Sequence, residues 1–126
     1  MIQKSATISQ TYPRLTLFTD ENFRGASRVL RGNLGIRTLD DVISGEDAES
    51  LRFFSTSDNA TLVLFTRTRF RGNFRILRRN RNIADLDDLI NGADVESLIA
   101  TNQRLTVEQV RGIRNSGTLP SGYRTI

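Results

Sequence analysis

The chain contains no histidine and no cysteine, so the usual general base, the cysteine nucleophile and the commonest zinc ligands are all missing. Chemistry is left to carboxylates, hydroxyls, amides, tyrosines and arginines. A metal held by such a set is a hard cation on oxygen ligands, calcium before magnesium. Two carboxylate doublets, Asp40/Asp41 and Asp87/Asp88, stand out. No nucleophile elbow and no phosphate loop of the GxxxxGK type accompanies them, and an enzyme is not expected. Because the doublets occur at equivalent places in a repeat, they read as turn residues that satisfy backbone amides. The other concentration of chemistry is basic: Arg67, Arg69, Arg71, Arg75, Arg78, Arg79 and Arg81. The planar guanidinium fork suits phosphate or carboxylate. The stretch lacks the interleaved stacking aromatics of a single-strand binder, so nucleic acid is the disfavoured partner and a solvated basic face the preferred reading.

These residues sit on a chain of 126 amino acids, enough for one domain with a single hydrophobic core or for two very small ones. Eighteen basic and fourteen acidic residues give a net charge of +4, and Lys4 is the only lysine. A charge of that size is what a soluble surface needs. No run of about 18 apolar residues is present, and the N-terminal stretch MIQKSATISQTYPR has no apolar signal core. No membrane association is expected. The compartment is read as cytoplasmic or unknown, since a removed signal peptide would leave no trace.

The elements that position these groups come from an internal duplication. Leu15–Leu51 aligns without gaps on Leu62–Leu98, an offset of 47, with 21 of 37 paired positions identical. LTLFTDENFRG pairs with LVLFTRTRFRG, LDDVISG with LDDLING, and DAESL with DVESL. Each copy reads as four short strands with turns. Strands are predicted around 15–19, 28–30 and 48–54, and again around 62–66, 75–77 and 95–101. Between them Leu39, Val42 and Ile43, and Leu86, Leu89 and Ile90, have the i, i+3, i+4 spacing of one helical turn. Two such copies make one all-β sandwich, because a single sheet of this size leaves its inner face wet.

Phe18, Phe23 and Gly25, and in the second copy Phe65, Phe70 and Gly72, fit an aromatic-x4-aromatic-x-Gly signature, followed at a matching distance by Ser50 and Ser97. Residues 14–102 therefore resemble the βγ-crystallin family, in particular its microbial members. The resemblance implies an all-β, βγ-crystallin-like double Greek key sandwich, with motif 1 at about 14–57 and motif 2 at about 61–102. Segments 1–13 and 103–126 flank it. The eight signature residues are expected to build the fold: glycine where a folded hairpin needs φ > 0, serine capping the hairpin amides, and the two phenylalanines stacked at its corner.

Many microbial members bind two calcium ions through a loop ending in the same serine. The resemblance places that loop at residues 45–50 and 92–97 and a hairpin carbonyl near Thr19 and Thr66. Both loops depart from the family pattern. Gly45 and Gly92 begin them, Glu46 or Ala93 follows, and Glu49 or Glu96 stands where a hydroxyl is expected. Two readings stay open. Asp47 with Glu49, and Asp94 with Glu96, supply carboxylates to calcium, the first loop being favoured because Glu46 retains an acid. Alternatively, neighbouring arginines take these carboxylates as salt bridges.

Beyond the repeat, Thr106 and Gln109 form a capping box at the start of a short helix that Asn115–Gly117 ends. Val107, Val110 and Ile113 lie on one of its faces, which is expected to pack on the sandwich or on a second copy as a homodimer. The functional expectation is a non-enzymatic structural or stress-related protein, calcium-binding through altered loops. The alternative is a protein-interaction or inhibitor module using the arginine hairpin 67–81 or the C-terminal tail.

Overall fold

The computed structural model describes residues 11–126; most of the expected N-terminal segment, Lys4 included, lies outside the described residues. Motif 1 supplies β1 (Arg14–Asp20), β2 (Arg24–Arg31), β3 (Leu34–Ile36) and β4 (Ser50–Phe54). Motif 2 supplies β5 (Thr61–Arg67), β6 (Arg71–Arg78), β7 (Arg81–Ile83) and β8 (Ser97–Thr101). A helix, α1 (Val107–Ser116), and a short strand, β9 (Arg124–Thr125), complete the chain.

The two motifs exchange their third strands. One sheet runs β2-β1-β4-β7 and the other β9-β3-β8-β5-β6. Leu34 and Ile36 of motif 1 thus lie opposite Ala100 and Leu98 of motif 2, while Leu51 and Phe53 of motif 1 lie opposite Ile83 and Arg81. Between the sheets, Leu15, Leu17, Leu51 and Phe53 meet Leu34, Ile36, Leu62, Leu64 and Leu98 in one fully buried cluster. Period-two alternation makes this possible, since every second residue of a strand faces the same side.

The outer faces differ. On the second sheet Val63, Phe65 and Ile99 are fully buried under Leu105, Val110 and Ile113. The positions 47 residues earlier are Thr16, Phe18 and Arg52, which form a partly solvated face. An apolar outer face needs a cover, and α1 supplies it, so the helix packs on its own sandwich. Its capping box is present: the Gln109 amide donates to Thr106 Oγ1 (3.1 Å) and the Thr106 amide to Gln109 Oε1 (2.8 Å). Gly117, at φ 73°, closes the helix by donating to Ile113 O. The tail then adds β9 parallel to β3, with the Ile126 amide donating to Gly35 O at 2.8 Å. Phe70 and Leu119 press so closely on Gly35 that a Cβ there would lie 2.7 and 2.8 Å from their ring and methyl carbons.

One local expectation is corrected. The stretches 39–43 and 86–90 form irregular turns, not a helical turn. Asp41 and Asp88 have φ of 60° and 56°, and Ser44 and Asn91 48° and 51°, a left-handed geometry that Asp and Asn tolerate best. Pairing of Ile43 with Glu46 and of Ile90 with Ala93 holds each turn. Leu39, Val42, Ile43, Leu86 and Ile90 are nevertheless buried, which is all that their spacing required.

Candidate functional site

Each motif opens with a hairpin whose tip is held from within. Ser50 Oγ accepts from the Phe23 amide (3.0 Å) and donates to Asp20 O (2.6 Å). Ser97 does the same for Phe70 (3.0 Å) and Arg67 (2.6 Å). The aromatic corners are edge-to-face, with centroids 5.9 Å apart for Phe18 and Phe23 and 5.8 Å for Phe65 and Phe70. Gly25 and Gly72, at φ 82° and 83°, pack against the hydroxyls of Thr19 and Thr66 with no room for a Cβ. Those hydroxyls accept from the amides of Ala26 and Asn73, each at 2.9 Å.

The hairpin tips carry the two motifs' junctions. The Asn22 amide donates to Ala84 O (2.8 Å), and by the same geometry the Arg69 amide donates to Arg37 O (2.7 Å). The serine loops join in: Leu86 donates to Glu49 O and Leu39 to Glu96 O, both at 2.9 Å. Each junction is therefore built from both motifs.

At the first junction the carboxylates of Glu21, Asp85 and Asp87 lie within 4.8 Å of one another. Glu49 joins them. Its carboxyl is pushed up to about 7, first by burial and then by Asp87, with which it shares a hydrogen bond, and by Asp47 and Glu21. Asp87 is also raised, by local desolvation first although the residue is exposed overall, then by Asp94 and Asp85; the bond to Glu49 pulls it the other way. Below about pH 7 the shared hydrogen bond places the proton on Glu49, with Asp87 accepting. At the second junction Glu96 is raised by burial, Asp40, Asp94 and Asp47, and Asp40 by burial, Asp47 and Asp41. The charged groups that shift these carboxyls are all acidic. That weighs against the salt-bridge reading of Glu49 and Glu96.

Several sequence-derived roles change. The strand expected around 48–54 begins only at Ser50, so Glu49, like Asp47, lies in the loop before β4. Asp47 Oδ1 accepts from the Asp41 amide and Asp94 Oδ1 from the Asp88 amide, each at 3.2 Å, so these acids brace the turns. The roles assigned to the doublets are thus reversed: Asp87 and Asp40 face Glu49 and Glu96. Glu46 is exposed in the turn that its backbone pins to Ile43. Glu21 and Asp85 were missed. Their signal was comparison of the copies, since positions 47 away are Thr68 and Thr38.

The arginine stretch is spread along β6 and its flanks. Arg67 and Arg71 are paired at one end, and Arg75 lines a cleft of about 320 Å³ with Arg81 and Leu77. At the other end Arg78 binds Thr61 Oγ1 (2.9 Å), and its guanidinium is lowered by burial and by Arg104. Arg81 Nε donates to Arg78 O (3.2 Å) and Arg79 sits in a left-handed turn. A larger cleft, about 540 Å³, opens at the second junction beside Arg28, Arg37, Thr38, Asp40, Thr68 and Arg69.

No protein-family model and no curated sequence matches the chain. Solved structures do. A domain described under "Evolution of the eye lens beta-gamma-crystallin domain fold" is 25% identical, covering 78% of this chain and 92% of that one with a TM-score of 0.51. Spherulin 3a from Physarum polycephalum is 22% identical, covering 82% and 96% with a TM-score of 0.55. With its paired Greek keys, exchanged third strands and serine-braced hairpins, the chain has the βγ-crystallin fold.

Proposed function

We propose that the protein is a non-enzymatic βγ-crystallin-type structural domain whose stability is set by one calcium ion, held at the first junction by Glu21, Glu49, Asp85 and Asp87. The observation that carries this reading is the gathering of acids from both motifs, three within 4.8 Å, beside a carboxyl that burial first and its acidic neighbours second raise to about 7. Alone they repel one another. A cation that takes six to eight oxygens at about 2.3–2.6 Å removes that repulsion and suits this all-oxygen donor set. The ion supplies charge neutralisation; Glu21 and Glu49 hold motif 1, and Asp85 and Asp87 hold motif 2. The second junction keeps only Asp40 and Glu96 of the equivalent carboxylates, with Thr38 and Thr68 replacing the others, so it binds calcium far more weakly.

Calorimetric titration of EDTA-stripped protein tests the reading. One site is expected, weakened by Glu49→Gln and by Glu21→Gln but not by Glu96→Gln. At a hundredfold excess over Kd, stabilisation of about 2.7 kcal/mol raises Tm by about 10 °C. Absence of heat together with an unchanged Tm overturns it.

A further inference from the structure

The duplication provides a comparison within one molecule. At the first junction the backbone-bonded tips carry Glu21-Asn22 and Ala84-Asp85; at the second they carry Thr68-Arg69 and Arg37-Thr38. All four positions differ, and all four differ in the same electrical sense. Two carboxylates have become threonines and two neutral residues have become arginines, on a backbone whose linking hydrogen bond has hardly changed, 2.8 against 2.7 Å. Arg28 borders the same cleft, anchored through NH1 to Val42 O at 2.8 Å. Among the described residues the guanidinia of Arg37 and Arg69 have no side-chain partner.

We infer that the second junction is a site for a phosphate group, either free or as the ester of a small molecule. Arg37 and Arg69 stand at backbone positions joined by a hydrogen bond and both line the same cleft, and a guanidinium fork matches phosphate oxygens two at a time. The Thr38 and Thr68 hydroxyls add donors beside them. The cleft, at about 540 Å³, is much larger than one anion and falls within the range of small-ligand sites. Asp40 and Asp41 also line it, and their carboxylates accept from hydroxyls of an ester's organic part. The two junctions thus hold ions of opposite sign on one scaffold.

The test is calorimetry on the full chain in EDTA, so that calcium binding plays no part, with inorganic phosphate and glycerol 3-phosphate as separate probes. Saturable binding of at least one is expected, and tighter binding of glycerol 3-phosphate identifies the ester as the source. Arg37→Gln and Arg69→Gln are expected to weaken it about tenfold each, whereas Arg111→Ala, on an exposed face of α1, leaves it unchanged. A rebuilt junction, Arg37→Ala/Thr38→Asp/Thr68→Glu/Arg69→Asn, copies a sequence already tolerated by this backbone. In EDTA it should lose phosphate, and in a separate calcium titration of the chelator-free protein it should take up one more calcium ion than the parent chain. No saturable binding, binding that survives the rebuilt junction, or equal loss with Arg111→Ala overturns the inference, and each leaves the calcium reading of the first junction standing.

Discussion

Glu49 illustrates how one carboxyl reports on its site. Its ordinary value is 4.5 and its value in the folded chain is about 7, so between these limits the folded state holds a proton that the unfolded state has released. Linkage then gives the sign: the acid is harmless below pH 4.5, stability falls as pH rises, and the loss is complete above about pH 7. Calcium-free protein should melt at a higher temperature at pH 5 than at pH 7.5. Glu49→Gln, a fixed mimic of the protonated acid, should flatten that difference in parallel melts. On the proposed reading calcium displaces this proton, so the heat of calcium addition should vary with the ionisation heat of the buffer at pH 6.5. The hairpin serines are a separate matter of satisfied amides. Ser97→Ala leaves the amide behind the buried Phe70 unpaired, a loss of about 1–3 kcal/mol in urea denaturation, and Ser50→Ala, under the less buried Phe23, should lose less. Serine, glycine and phenylalanine were legible because they act at fixed spacing within a motif. The ring around Glu49 was not, because exchange of the third strands brings Asp85 and Asp87 from 36 and 38 residues away.

Among the elements, β1 and β5 show what a cover does to a strand. β1 alternates buried and half-buried residues, as one solvated face dictates, while β5 is buried at five successive positions. That difference was already present in Thr16 against Val63 and Arg52 against Ile99. Only the structure shows that α1 answers it. Ile113, 5% exposed, should lose about 2–4 kcal/mol on change to Ala, whereas Val107, 44% exposed, should lose almost nothing under the same denaturant titration. The helix itself was legible from Thr106, Gln109 and Gly117, whose capping roles are local. The turns at 39–43 and 86–90 misled because apolar residues three and four apart meet equally well around a left-handed aspartate, with Asp47 and Asp94 serving the amides that a helix would have satisfied.

At the scale of the molecule, neither motif contains its own complete sheet. β3 has its hydrogen-bonded partners in β8 and β9, and β7 has its partner in β4. Cutting the exposed link between Asp58 and Asn59 should therefore give two fragments that are unstructured alone and regain the β-type circular dichroism spectrum when mixed. A half that folds by itself would contradict the exchanged topology. Pairings this distant along the chain also make folding slow relative to a hairpin-only sheet. The same exchange has a historical consequence. A single unduplicated copy could complete these sheets only by pairing with a second identical chain about a twofold axis, an isologous contact in which every feature occurs twice. In such an ancestor any change at one junction would have been imposed on the other. Fusion into one polypeptide released the two from that identity, and the divergence of Glu21 and Asp85 from Thr68 and Thr38 is a change that no symmetric dimer could have recorded.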